Sequence, residues 1–215
     1  MFFRPILLAF ALTATGAYAQ TTPAPTPTPA PEVTPAPKPT PATVRVALET
    51  DQGRIVLELE KERAPITTAN FLRYVDQKRL DGIGFYRTVK VQPGFGFVQF
   101  GVQNAPKRVL PPIKHEPTTQ TGLKHLSGTI STARYAPGTA SGDFTIMVGD
   151  QPSLDADPSQ PGDNLGYAAF GHVVEGMDVV TRVLDATPSP TAGEGVMKGQ
   201  MLVPPILIRT ARRLP

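Results

Sequence analysis

The chain has 215 residues, 40% hydrophobic and 18% charged, with 25 Pro, no Cys and a formal net charge of +3. The absence of cysteine excludes disulfides, thiolate metal sites, a cysteine nucleophile and lipid attachment through an N-terminal Cys. The basic residues are scattered, so the concentrated positive face of a nucleic-acid binder is not expected; Arg209, Arg212 and Arg213 read as a solvated tail.

Residues 1–19 read as a secretory signal peptide. They hold Arg4, a short apolar run from Ile6 to Leu12, and Ala17-Tyr18-Ala19, which puts small residues at the −3 and −1 positions of a cleavage before Gln20. The run is too short for a bilayer core of about 30 Å, so export without a retained membrane anchor is expected. The destination is the periplasm in a Gram-negative source, and otherwise the protein is secreted. Residues 20–43 alternate Pro with Thr and Ala, which removes backbone donors and favours extended polyproline II. This reads as a disordered, semi-rigid spacer acting as an inert stalk. Holding the domain off a surface and serving as a proline-rich ligand are the functional alternatives.

One domain is expected over residues 44–215. Val44–Glu49 and Arg54–Glu60 alternate around Asp51-Gln52-Gly53, the pattern of a β-hairpin. Pro65 then opens a helix whose apolar stripe is 66, 69, 72 and 75. Gly84–Val102 gives two strands, Phe85–Val89 and Phe97–Val102, around a Pro/Gly-rich connection. Period-two alternation puts Phe97 and Gln99 on one side and Val98 and Phe100 on the other. With Arg87 nearby, that makes an aromatic shelf with polar donors, suited to an extended peptide. Gln103–Gly122 reads as loop; Gly128–Arg134, Phe144–Val148, Tyr167–Val174 and Pro205–Thr210 read as strands, and Gly176–Leu184 as a short amphipathic helix. This mainly-β pattern predicts a closed antiparallel barrel of about eight strands with two short helices at its ends; composition alone also admits a sandwich.

Other chemistries find little support. His115, His125 and His172 lack metal-ligand spacing and read as ordinary residues, with His115-Glu116 beside a loop as the pair to watch. Asp155-Ala156-Asp157 lacks the glycine and terminal glutamate of a calcium loop and reads as solvated. No serine has a base and an acid at motif spacing, and no phosphate-binding glycine loop is present.

Taken together, Pro65-x-Thr67-x-x-Asn70-Phe71, Phe85-Tyr86-Arg87, the Pro-Gly-Phe turn with Gln99, Gly128–Ala133, Leu154-Asp155, Tyr167–Gly171 and Glu175–Val180 resemble the cyclophilin-type peptidyl-prolyl isomerases. The resemblance spans nearly all of residues 44–210. It implies a cyclophilin-like barrel that rotates X–Pro bonds without cofactor, metal or covalent intermediate. Partners would be unfolded or loop segments of other exported proteins; a monomer is expected, with no nucleic acid and no membrane insertion. By the same resemblance Arg87 is the catalytic arginine and Gln99 the glutamine that orients the peptide. Phe95, Phe97, Ala133, Arg134, Asp143, Thr145, Leu154 and Tyr167 contact substrate, Ala133 through its backbone and Leu154 as an apolar wall.

Several positions depart from the family pattern. Gly96 stands where the first pocket phenylalanine belongs, with Phe95 one place earlier, and Phe97 replaces the pocket methionine. Thr145 takes the second phenylalanine's place, Asp143 that of a glutamine, Arg134 that of an asparagine, Ser153 that of a tryptophan, and Phe100 that of a glycine. A more polar pocket floor follows. The alternatives to an isomerase are a proline-peptide-binding chaperone module on the same fold with weak or no catalysis, and a small-ligand barrel in which the shelf is incidental.

Overall fold

The computed structural model of the protein describes residues 42–215; the stretch expected to be a signal peptide and all but the last two residues of the expected spacer lie outside them. The chain first forms a hairpin, β1 (Val44–Thr50) and β2 (Gly53–Leu59). Gly53 enters it at φ +129°, a conformation suited to glycine. Helix α1 (Pro65–Asp76) leads to a second hairpin, β3 (Ile83–Gln92) and β4 (Phe95–Gly101). A one-turn helix, α2 (Thr118–Thr121), interrupts the stretch read as loop. Then follow β5 (Thr129–Thr132), β6 (Asp143–Val148), β7 (Ala169–Glu175), α3 (Met177–Asp185) and β8 (Met201–Arg213).

The strands close in the order β1-β2-β7-β5-β6-β4-β3-β8, every neighbour antiparallel, which is the barrel expected and not the sandwich. Closure removes free sheet edges. Its interior is aromatic. Phe71 meets Phe144 edge-on at 4.8 Å between ring centroids, and Phe85 lies 5.0 Å from Phe100. Each such fully buried apolar side chain stabilises the fold by about 1.5–3 kcal/mol.

Three differences from the sequence reading have clear causes. Of the expected α1 stripe 66, 69, 72 and 75, Leu72 and Val75 are buried but Ile66 and Ala69 are exposed; Thr67, Thr68, Asn70, Phe71 and Tyr74 turn inward instead. The polar members of that face find partners in the fold: Thr67 Oγ1 donates to Glu116 Oε2 at 2.6 Å, and Asn70 Nδ2 to the Ser141 carbonyl at 2.7 Å, although Asn70 Oδ1 has none among the described residues. Aromatic volume then decides which side faces the core. The closing strand begins at Met201 and not Pro205, because a large register shift between Phe85↔Ile206 and Arg87↔Met201 absorbs Pro204 and Pro205. Finally, the C-terminal arginines are no tail. Arg209, Arg212 and Arg213 pair with Asp51, Asp81 and Asp76 at 2.5, 2.7 and 2.5 Å, fastening β8.

Candidate active site

The site lies on the outer face of four strands that are consecutive around the barrel, β5-β6-β4-β3. Register places Arg87 opposite Gln99, Gln99 opposite Thr145, and Thr145 opposite Ser131. Directly paired residues share a face, so these form one row across the sheet. The next row carries Val89, Phe97 and Met147. Val98, Phe100, Phe144 and Ile146 point the other way, into the core.

Strict alternation would put Arg87 on the same side as Phe85, inside the barrel. A β-bulge at Tyr86 prevents this: Phe85 pairs with Phe100 and Arg87 with the very next residue, Gln99. The extra residue on β3 re-aims the arginine outward beside Tyr86.

These rows line a groove of about 370 Å³. Its polar end is formed by Gln103, Asn104, Ser141 and Asp143, and its apolar end by Phe97, Met147, Leu154, Met197 and Met201. Arg87, Gln99, Ala133, Arg134, Thr145 and Tyr167 also line it. Phe95 does not. It sits at the tip of the β3–β4 hairpin, where a Cβ on Gly149 would come within 2.6 Å of its ring. Gly96 has its own cause: at φ +154°, a Cβ there would lie 2.0 Å from the Val89 carbonyl, so no phenylalanine fits.

Arg87 is half-buried, and its guanidinium is held from two sides. Nη1 donates to Gln99 Oε1 at 3.0 Å, and Nε and Nη2 donate to Gln200 Oε1 at 2.9 and 2.6 Å. Its carbon sits 5.5 Å from the centre of the Phe97 ring. Burial lowers the Arg87 pKa, partly countered by Tyr86 and Tyr167. Arginine remains charged even so. Gln99 Nε2 in turn donates to the Tyr86 hydroxyl at 2.6 Å, and that hydroxyl donates to Asp143 Oδ1 at 3.0 Å. Burial raises the Asp143 pKa against the backbone N–H of Gln103 and the Tyr86 hydroxyl.

Arg134 lines the groove but has no donor to spare. Nε binds Gly166 O at 2.9 Å, Nη1 binds Tyr135 O at 3.3 Å and Asp163 at 2.6 Å, and Nη2 binds Asp163 at 2.9 Å and Gly166 O. That uses all five N–H groups. Its guanidinium carbon lies 5.0 Å from the centre of the Tyr167 ring, so it supports a wall. Ala133 N–H is taken by Asp143 O at 2.9 Å. Among the described residues no donor reaches the Ala133 carbonyl, which leaves it to a ligand.

A Ser-His-Asp arrangement exists in space that sequence spacing concealed. His125 Nδ1–H donates to Asp155 Oδ1 at 2.7 Å, and Nε2 accepts from Ser131 Oγ at 2.9 Å. Ser131 and His125 are fully buried, so no substrate reaches the hydroxyl. The group ties β5 to the Pro152–Leu154 turn that carries the Leu154 wall. Asp155 is therefore not solvated. Nor is Glu116 a loop residue at large: it accepts the N–H groups of Ile66 and Thr67 at 3.1 and 2.7 Å.

The sequence reading missed Tyr86 as a site residue, Met147, Met197, Met201 and Gln200. Met147 was detectable as the alternation partner of Thr145 on β6. The others depend on a bulge or on a segment more than a hundred residues from Arg87.

The family model described as "Cyclophilin type peptidyl-prolyl cis-trans isomerase/CLD" matches residues 45–208. Peptidyl-prolyl cis-trans isomerase cyp18 of Streptomyces antibioticus is 37% identical over 172 residues, covering 79% of this chain and 98% of that protein. Peptidyl-prolyl cis-trans isomerase B of Escherichia coli is 35% identical over 144 residues, 64% of this chain and 82% of that protein. Among solved structures, a cyclophilin-type isomerase of Cryptosporidium parvum superposes with TM-score 0.65 at 19% identity, covering 81% of this chain and 99% of that one. The same protein solved in the presence of the dipeptide Ala-Pro gives TM-score 0.64 at 20% identity.

Proposed function

The chain belongs to the cyclophilin-type peptidyl-prolyl cis-trans isomerases, and from that premise we propose that it acts on X–Pro bonds of exported proteins through Arg87. The barrier to be lowered, about 18–20 kcal/mol, comes from amide resonance. In the twisted state the prolyl nitrogen regains a lone pair, and a donor aimed at it favours rotation. Three of the five Arg87 N–H groups are occupied by Gln99 and Gln200, which leaves two for the substrate. Both occupying groups are neutral amides, so they orient the charge without cancelling it. This arrangement is the observation that carries the proposal.

The apolar end of the groove, Phe97 with Met147 and Met197, receives the proline ring and strips water from the amide. The Ala133 carbonyl accepts from the peptide backbone. Rotation makes and breaks no covalent bond, so it requires no cofactor. Export rests on the signal-peptide pattern of residues 1–19, and clients are unfolded or loop segments met outside the cytoplasm. Among the described residues no helix is long and apolar enough to cross a membrane. The domain acts as a monomer, one groove to each barrel.

A hydrogen bond from a charged donor contributes about 1.5–3 kcal/mol, or about one to two decades of rate. In a chymotrypsin-coupled assay on short X–Pro peptides, Arg87→Ala should lose 10- to 100-fold in kcat/KM by that measure. Equal activity in both proteins would remove Arg87 from the mechanism. Peptide binding with no acceleration by the wild type would favour the chaperone module, whose support is the Thr145 hydroxyl on the groove floor.

A further inference from the structure

The segment between α3 and β8 brings Met197 to the groove wall and Gln200 to the arginine. The Gln200 carbonyl accepts the Thr88 N–H at 2.9 Å, next to Arg87 in β3. This bond fixes where the Gln200 side chain starts. The segment behind it is braced on itself: Ser189 N–H donates to Met201 O at 2.8 Å, Gly199 N–H to Ala192 O at 3.0 Å, and Gln200 N–H to Met197 O at 3.0 Å. A Cβ on Gly193, at φ +91°, would lie 2.4 Å from the Met197 carbonyl, so the turn closes tightly. From this base Gln200 Oε1 takes two N–H groups of Arg87, at 2.9 and 2.6 Å, where Gln99 takes one at 3.0 Å.

The geometry points to Gln200 as a second positioning residue for the isomerisation, acting through Arg87; this rests on the reading of Arg87 as the donor to substrate. A single amide oxygen across Nε and Nη2 fixes the plane of the guanidinium, and Gln99 on Nη1 fixes its rotation within that plane. The remaining N–H groups then face the groove in one orientation. A free arginine would instead sample several rotamers and donate productively in a fraction of them. The chemical type matters as much as the place. A carboxylate at position 200 would hold the same fork, and more tightly, but would place a negative charge on the guanidinium. The field acting on the prolyl nitrogen would then be weakened. A glutamine orients the cation and leaves its charge available.

The test uses the full-length protein with Gln200→Ala, Gln200→Glu, Arg87→Ala and the double variant Arg87→Ala/Gln200→Ala. Isomerase kcat/KM, peptide affinity by fluorescence titration and melting temperature are measured for each. Loss of the fork is expected to lower kcat/KM about tenfold in Gln200→Ala. Gln200→Glu, which keeps an acceptor in place, is expected to fall at least as far while melting no lower than wild type. Peptide affinity should stay within about threefold throughout, since Gln200 acts on the orientation of a donor and not on the groove walls. In the Arg87→Ala background, Gln200→Ala should cost less than about twofold, because the group it positions is gone. Full activity in Gln200→Glu, or an undiminished Gln200→Ala effect without Arg87, would overturn the inference. Should Arg87→Ala itself retain wild-type activity, the premise fails and not merely this step. A Gln200→Ala protein that loses stability in proportion to activity, with Gln200→Glu restoring both, assigns the residue to the fold alone.

Discussion

At the residue scale, the site is a relay of amides and hydroxyls leading from a half-buried acid to a half-buried cation: Asp143, Tyr86, Gln99, Arg87. Tyr86 is its middle link and is nearly inaccessible to water. Tyr86→Phe leaves Gln99 Nε2 without its partner, while Asp143 Oδ1 keeps the Gln103 N–H, and an unsatisfied buried polar group costs about 1–3 kcal/mol. Chemical denaturation should show a loss of that size, and kcat/KM should fall as well because Gln99 loses its anchor. An unchanged denaturation midpoint would contradict the relay. Arg87 and Gln99 were legible in the sequence because polar residues interrupting apolar strands stand out. Tyr86 was not, since a tyrosine beside an arginine looks like ordinary strand until a bulge puts both on one face. Arg134 lines the groove as expected, but that its five donors are spent on Gly166, Tyr135 and Asp163 was not legible, since these contacts run through a loop whose path the sequence does not reveal.

At the scale of elements, α1 is the clearest case of a helix completed from outside. Ala64 offers no capping side chain and the first turn holds no acidic residue. The helix N-terminus would be left with unpaired N–H groups and a positive dipole end. Glu116, fully buried and some fifty residues downstream, supplies the carboxylate. Glu116→Ala should cost about 2 kcal/mol or more. Hydrogen exchange should localise the loss to the amides of Ile66 and Thr67; uniform loss across the barrel would refute the cap. The helix itself was legible from Pro65 and its spacing, but its orientation was not, because a buried threonine and asparagine look polar until Glu116 and Ser141 are seen beside them. The His125 strut makes a pH prediction. Burial lowers the His125 pKa, outweighing the hydrogen bond and charge of Asp155 that raise it. A depressed folded value means that the ring's contribution is present above the ordinary histidine pKa of about 6.5 and is lost as pH falls through the lower folded value. The stability gap between wild type and His125→Gln should therefore be widest near neutral pH and narrow on acidification. A gap that widens on acidification would mean that the folded state holds the charged form.

At the scale of the molecule, the barrel closes on its own ends. Leu214 N–H donates to Arg45 O at 2.9 Å, Ala42 N–H to Glu62 at 3.0 Å, and the C-terminal arginines pair with Asp51, Asp76 and Asp81. A chain ending at Ile208 would lose most of the β1–β8 ladder and expose two edges, whereas one beginning at Ala42 would keep every strand. Thermal melts should show the first severely destabilised and the second unchanged with full activity. Closure into a barrel of about eight strands was legible from the number and rhythm of strands together with the family resemblance, whereas the strand order was not. The groove's apolar end was legible only in part: Phe97 and Leu154 were, whereas Met197 and Met201 arrive from a segment without strand or helix pattern. All of this converges on one claim, that the outer face of β3 and β4 turns an arginine onto an X–Pro bond. Exchange spectroscopy by NMR on a short Ala–Pro peptide, with catalytic amounts of wild type or Arg87→Ala, tests it most simply. Wild type should produce cis–trans exchange cross-peaks. Arg87→Ala should lose them while still shifting the resonances of Phe97 and Met147 when saturated with peptide. Cross-peaks of equal intensity from both proteins would contradict the account.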